Sequence, residues 1–257
     1  MKTSQSRFTG SSVSVAYSVA VPSGVKRTMQ TDLMSEFEDG RTDLIGPLLE
    51  AGVSANFRNQ HGVSLIQTCA YHGDVSAIRA LLARGTSLQE LGANLGLSTA
   101  CFHGHWRLCL LLLEHGANVN DQSDENKETP LHAALCSTDR ILYDRVVEVL
   151  LSKGADPNLP TANGVTTGGF MRDARTKGET ALHRAAAFGE EGTVKMLLDA
   201  GARREARDAN GDTPLSWASW YLRPASILHQ LCFGDYRVNP SRNSMRANLI
   251  GFPHRTP

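Results

Sequence analysis

A Leu-Leu-x-x-Gly signal recurs along this chain, and a recurring unit limits the possible folds more than any single residue does. It stands at Leu48-Leu49…Gly52, Leu81-Leu82…Gly85, Leu112-Leu113…Gly116, Leu150-Leu151…Gly154 and Leu197-Leu198…Gly201, with a degenerate copy at Leu231-Cys232-Phe233-Gly234. The glycines are spaced 33, 31, 38, 47 and 33 residues apart. A repeat of about 20–50 residues is the mark of a stacked array, in which one small unit buries its apolar face only against its neighbours. Paired leucines followed by glycine read as the end of an amphipathic helix, closed by a left-handed residue that satisfies the free carbonyls.

A second signal lies in register with the first. It reads Glu128-Thr129-Pro130-Leu131-His132-Ala133-Ala134, Glu179-Thr180-Ala181-Leu182-His183-Arg184-Ala185-Ala186 and Asp212-Thr213-Pro214-Leu215-Ser216-Trp217-Ala218. Diverged copies run from Val63 to Ala70 and from Gly96 to Cys101. Thr129, Thr180 and Thr213 are suited to cap helices, and Pro130 and Pro214 follow where a missing N–H costs nothing. Small residues at Ala134, Ala185, Ala186 and Ala218 allow neighbouring helices to approach closely. Together these motifs resemble the ankyrin repeat, a unit of about 33 residues with Thr-Pro-Leu-His-x-Ala in its first helix. The resemblance covers about residues 32–234. It implies an all-α fold, an ankyrin-repeat solenoid of stacked helix-turn-helix units with projecting hairpin fingers. About six units are expected, the first and last atypical. Residues 31–57 lack the Thr-Pro-Leu-His turn, as suits a terminal unit with no neighbour on one side.

Residues 1–31 carry four bases and no acid, and are expected to form a tail. Their Ser-rich, basic composition is shared with organelle transit peptides, but a plain flexible tail is the reading preferred. Residues 236–257 likewise carry four arginines and no acid. All 26 acidic residues therefore lie within 32–235, against 18 bases, a net of −8. Such an acidic body argues against a nucleic-acid surface, whose affinity depends on Lys and Arg neutralising phosphates. The C-terminal segment 235–257 contains Met245, Leu249, Ile250 and Phe252, enough to pack on the last unit as a cap or enter the groove. The five cysteines are odd in number and sit in apolar helical patterns, and every Asn-x-Ser/Thr triplet has proline between. Both features favour a reducing, cytoplasmic setting. The apolar run near Leu110–Leu113 is too short to span a bilayer. A monomer that engages neither nucleic acid nor membrane is expected.

The two long spacings locate insertions. One falls near Ser137–Tyr143, at a turn between helices; the other is Leu159–Thr176, rich in Gly and Thr, and is expected to enlarge one finger over the concave face. Long loops in compact domains are either functional or disordered. The glycines do not form a phosphate cradle, because no Gly-Lys-Ser/Thr follows them.

Catalytic and metal chemistry find little support. Cys101-Phe102-His103-Gly104-His105 with Cys109 is the most metal-like cluster, yet aligned on the repeat Cys101 points inward and His105 belongs to a turn. His132 and His183 fall at a position where the family's imidazole bonds backbone between units, a structural task. The acidic run Asp121–Glu128 suits an exposed finger. No catalytic residue, metal or cofactor is assigned. An enzyme using the 159–177 insertion is the least favoured reading, since that loop offers only Arg172, Asp173, Arg175 and Lys177 as titratable groups.

More telling are the aligned positions that face the concave side. Just before each first helix ends, the chain reads Tyr71-His72, Phe102-His103, Cys136-Ser137, Ala187-Phe188 and Trp220-Tyr221. The position after the histidine slot reads Thr68, Thr99, Ala133, Arg184 and Trp217. Aromatics and Arg anchor interfaces more often than other residues. With only 6% aromatic residues overall, their concentration here selects this face. The expected partner-binding set is therefore Tyr71, His72, Phe102, His103, Arg184, Phe188, Trp217, Trp220 and Tyr221. The function implied is a protein-protein interaction module, adaptor or inhibitor. The alternative is a targeting or regulatory subunit for an enzyme on a separate chain.

Overall fold

The computed structural model describes residues 23–136, 140–167 and 175–233. Within them the helices follow one another in pairs: α1 (Ser23–Glu38) and α2 (Ile45–Glu50), α3 (Leu65–Tyr71) and α4 (Val75–Leu82), α5 (Leu97–Phe102) and α6 (Trp106–Glu114). There follow α7 (Pro130–Ala134) and α8 (Arg140–Ser152), α9 (Ala181–Phe188) and α10 (Glu191–Asp199), and α11 (Pro214–Trp220) and α12 (Ala225–Leu231). First helices pack on first helices, as α5 on α7 and α9 on α11. Second helices form an outer row, α6 on α8, α8 on α10 and α10 on α12. One apolar core runs the length of the array, from Phe37 to Leu231.

The leucine pairs divide their work. Leu81, Leu112, Leu150 and Leu197 are fully buried, while Leu82, Leu113, Leu151 and Leu198 are only partly covered and line the core's edge. Each fully buried leucine is worth roughly 1.5–3 kcal/mol of transfer free energy. The glycines that follow take φ between 87° and 93°, so the left-handed ends expected from the sequence are present.

The capping threonines also perform as expected. The Thr129 hydroxyl accepts the His132 N–H at 3.3 Å, and Thr213 does the same for Ser216 at 3.3 Å. At Thr129 and Thr180 the histidine three residues on reaches back: Nδ1 accepts the Thr129 N–H at 3.2 Å, or the Thr180 N–H at 3.1 Å. With Nδ1 an acceptor, the proton sits on Nε2. It is donated to the next unit, to Glu179 O from His132 at 3.2 Å and to Asp212 O from His183 at 3.1 Å. Each neutral imidazole thus closes a helix end and ties two units together.

An asparagine ladder adds a second set of ties that sequence reasoning missed. Asn120 donates to Gly154 O at 3.0 Å and accepts from the Asp156 N–H at 2.8 Å. Asn158 repeats this with Gly201 O at 3.0 Å and the Arg203 N–H at 2.9 Å. The signal was present in the sequence, because these asparagines follow Gly116 and Gly154 at equal distances.

The first unit and the fingers differ in detail from what was expected. Helix α1 begins at Ser23, inside the stretch 1–31 expected to form a tail, and its Phe37, within the expected repeat domain, is fully buried. The fingers differ in form: β1 (Asn163–Thr166) and β2 (Arg175–Lys177) pair as antiparallel strands, Arg58 and Ser64 form a single antiparallel bridge before α3, and a tight turn ties the Asp208 N–H to Asp212 O before α11. The finger before α5 is instead made of tight turns with Asn94 and Leu95 left-handed. Residues 137–139 and 168–174, the centres of the two insertions, lie outside the described residues, as do 1–22 and the C-terminal stretch 234–257.

Candidate partner-binding face

The ends of the first helices carry the aromatic residues, and most reach solvent. Tyr71 is 61% exposed and Trp220 78%, with Phe102 and Tyr221 exposed to a lesser degree. His72 is also exposed, while His103 and Phe188 are half-buried. They form two clusters rather than one continuous strip. In the first, the His103 ring meets Tyr71 edge-on at 5.0 Å and Phe102 at 5.2 Å. The Tyr71 ring in turn meets His72 at 5.2 Å. In the second, Phe188 packs on Tyr221 at 4.5 Å beside Trp220.

Neighbouring units hold the first cluster in place. His105 donates Nε2–H to Tyr71 O at 2.8 Å, across the junction of α3 and α6. That approach requires glycine at position 73: a Cβ there would lie 2.5 Å from the His105 ring, at a φ of 70°. Tyr143, at the end of the fourth unit's insertion, donates its hydroxyl to Phe102 O at 2.8 Å. Partial burial, and then the neighbouring His105, push the His103 pKa below the ordinary histidine value, favouring a neutral ring. Beside Tyr71 and His72, between α3 and α5, lies a cavity of about 530 Å³ walled by Thr68, Thr99 and Leu91.

Two members of the expected set are not on the surface. Arg184 is completely buried, which corrects its assignment as a groove anchor. Its guanidinium donates to Glu179 Oε1 from Nε at 3.0 Å and from Nη2 at 2.6 Å, and it also pairs with Glu128. Nη1 donates to His132 O at 3.1 Å and contacts Cys136 Sγ at 3.2 Å. Glu179 Oε2 accepts the Thr161 hydroxyl and the Lys177 N–H, each at 2.7 Å, and Glu128 accepts the Thr167 hydroxyl at 2.9 Å. Burial pushes the Glu179 pKa up, but Arg184 and these donors outweigh it and bring it down to about 2. Burial pushes the Cys136 thiol up to about 11, so it stands beside the guanidinium as a neutral thiol. Through Glu128 and Glu179, Arg184 therefore joins α7 and α9 to Thr161, Thr167 and Lys177 of the 159–177 finger. Glu128, expected as part of an exposed acidic run, belongs to this cluster.

Trp217 is the second correction. Only 7% of it is exposed, and its indole N–H donates to Asp208 Oδ2 at 3.1 Å. Its ring still contributes one wall to an open cavity, described below. The cluster singled out for its metal-like spacing is dispersed: Cys101 is buried against Cys109, with 3.6 Å between sulfurs, while His105 binds backbone.

Comparison with known proteins agrees with this architecture. The family model "Ankyrin repeats (3 copies)" matches residues 92–161 and 164–243. The chain is 29% identical over 250 residues to Ankyrin repeat and SOCS box protein 16 of Homo sapiens, covering 83% of this chain and 53% of that protein. It is 26% identical over 229 residues to Palmitoyltransferase ZDHHC13 of Mus musculus, covering 76% of this chain but 34% of the relative. It therefore spans between about a third and about half of the length of these relatives. One chain of the solved complex of the Bd0816 predatory endopeptidase from Bdellovibrio bacteriovorus with immunity protein Bd3460 shares the fold, with a TM-score of 0.55 at 20% identity. That match covers 77% of this chain and 95% of the other. With two motifs in register, six stacked helix pairs among the described residues and a family model over more than half its length, the chain belongs to the ankyrin-repeat family.

Proposed function

We propose that this chain is a protein-binding module, an adaptor or inhibitor, whose partner lies along the ends of the first helices. The observation that carries this reading is the exposure of Tyr71 and Trp220 at matching positions of different units. Exposed aromatics bring large contact area at low entropic cost, which is why they dominate interface energetics. The cavity beside Tyr71 gives a partner side chain somewhere to anchor. The described residues offer no nucleophile held by a base and an orienting acid: the buried histidines bind backbone, and the Arg184 cluster is closed off. A binding role is also in keeping with relatives in which ankyrin repeats stand beside another named part, such as a SOCS box.

The alternative, a targeting subunit for an enzyme on a separate chain, uses the same surface; activity that co-purifies with the chain separates the two. To test the face itself, a pull-down compares the wild type with Tyr71→Ala/Trp220→Ala. Truncating interface anchors of this kind weakens binding by about 2 kcal/mol or more each, roughly 30-fold. Full partner recovery by a folded double variant would refute the reading.

A further inference from the structure

The last unit contains a feature that the other units lack. Trp217, Trp220 and Tyr221 wall a cavity of about 410 Å³, with Asp212 and Lys177 at its border. Trp220 and Tyr221 are open to solvent, and Leu222 beside them is 66% exposed. Leu222 stands where the aligned units have Gly73 and Gly104, and it keeps their left-handed backbone at a φ of 55°. A branched side chain is thus held in a conformation that glycine adopts freely, and it enlarges the apolar surface.

The aromatic lining of this cavity suits a cation. The Lys177 ammonium already lies over the Trp217 ring, 5.5 Å from its centroid. Asp208 lies buried outside the cavity lining and accepts the Trp217, Asn210 and Asp212 N–H groups, while Asp212 is the carboxylate at the border. One carboxylate, Asp212, and one ammonium, Lys177, stand at the border, so the attraction for a further cation comes from the aromatic faces and from the acidic body around them. Trp220 and Tyr221 add aromatic faces, onto which a planar guanidinium stacks well.

We propose that this pocket is occupied by an arginine of the chain's own C-terminal segment, residues 236–257, which acts as an internal ligand of the face assigned above to partners. The proposal rests on that face being a binding surface and names its occupant. The segment, which lies outside the described residues, carries Arg237, Arg242, Arg246 and Arg255 without one acid, complementary to a body of net −8. It follows the helix that closes the last unit, the unit that carries the cavity. Gln230 O, at the end of α12, accepts Arg204 Nε at 2.7 Å, so the chain leaves α12 against the stretch that leads to Asp208 and Asp212. A segment of this length reaches tens of ångströms when extended, at about 3.3–3.6 Å per residue. A short tether holds a ligand at a local concentration of order millimolar, so a free-peptide Kd of even about 0.1 mM leaves the pocket mostly filled. A partner must then displace the segment, which makes this contact a built-in brake on binding.

The test uses the full chain labelled with 5-fluorotryptophan, which places reporters at Trp106, Trp217 and Trp220. The Trp220 signal is assigned with Trp220→Phe. Wild type is compared with a full-length variant carrying Arg237→Gln, Arg242→Gln, Arg246→Gln and Arg255→Gln. Expected are a displaced Trp220 signal in the variant and roughly twofold greater relaxation by a soluble paramagnetic probe, as a stacked guanidinium is lost. The Trp106 signal stays in place. Adding the synthetic peptide 236–257 to the variant restores the wild-type position, and about 1 M salt moves the wild type towards the variant. Coincident Trp220 signals with equal probe access overturn the proposal. If they coincide and an unrelated arginine-rich peptide still shifts them, the pocket serves a partner in trans and the internal ligand is likewise excluded. Partner capture is read separately with Tyr71→Ala, so the binding face can stand where the internal ligand falls.

Discussion

At the residue scale the most consequential side chain is Arg184. Desolvating a guanidinium is costly, and here two carboxylates and a backbone carbonyl compensate it. Removing the cation leaves Glu128 and Glu179 facing each other near the interior. Arg184→Met is therefore expected to lose about 3–5 kcal/mol of stability, read as a lower urea midpoint at unchanged m-value. Adding Glu128→Gln and Glu179→Gln to the same chain should recover most of that loss, since the uncompensated charge is then gone. If the triple variant is no more stable than Arg184→Met, packing rather than charge is what Arg184 supplies. Nothing local announced this role. In the repeat alignment Arg184 occupies a position that faces the concave side, and it is enclosed by Glu128, His132 and Cys136 of the preceding unit together with Glu179 of its own.

At the scale of elements, helix ends depend on backbone conformation. Gly85 closes α4 at a φ of 91°, and a Cβ there would meet nothing within 4 Å. Gly85→Ala thus isolates the conformational cost, about 1–2 kcal/mol of lost stability. Leu222→Gly should go the other way, neutral or stabilising by up to about 1 kcal/mol, because it releases the same strain at the end of α11. Thermal denaturation of both variants checks the pair. A Leu222→Gly variant that loses stability would show that the leucine side chain packs productively. The helices and their terminating glycines were legible from spacing and caps. The form of the fingers was not: β1 and β2 pair before α9, whereas before α5 Asn94 and Leu95 take left-handed backbone, a conformation that non-glycine residues rarely adopt and that composition does not announce.

At the scale of the whole molecule, the histidine ties make the array sensitive to acid. Burial brings the His132 pKa down to about 3, and His183 is lowered by the same cause. A group held neutral in the fold stabilises it above the unfolded pKa of about 6.5, and this contribution is lost as pH falls towards the folded value. His132 alone removes about 2 kcal/mol between pH 7 and 5. Glu179, lowered to about 2, adds its loss only below about 4.5. Urea midpoints should therefore fall from pH 7 to 5 and then more steeply below 4.5. A midpoint that does not change down to pH 5 would contradict the neutral, buried tautomer.

The sequence by itself determined the stacked units and their helix ends, because capping, periodicity and left-handed glycines act between residues close together in the chain; the ties made by His132 and His183 between units followed only from the family resemblance. It also determined the band of aromatics at the ends of the first helices. Tertiary structure alone decided which of these residues meet solvent. Tyr71 and Trp220 protrude, whereas Trp217 turns its indole onto Asp208 and Arg184 disappears beneath a finger whose Thr161 lies far from it along the chain. Exposure depends on everything packed around a residue, and in a solenoid those neighbours come from the next unit and its loops.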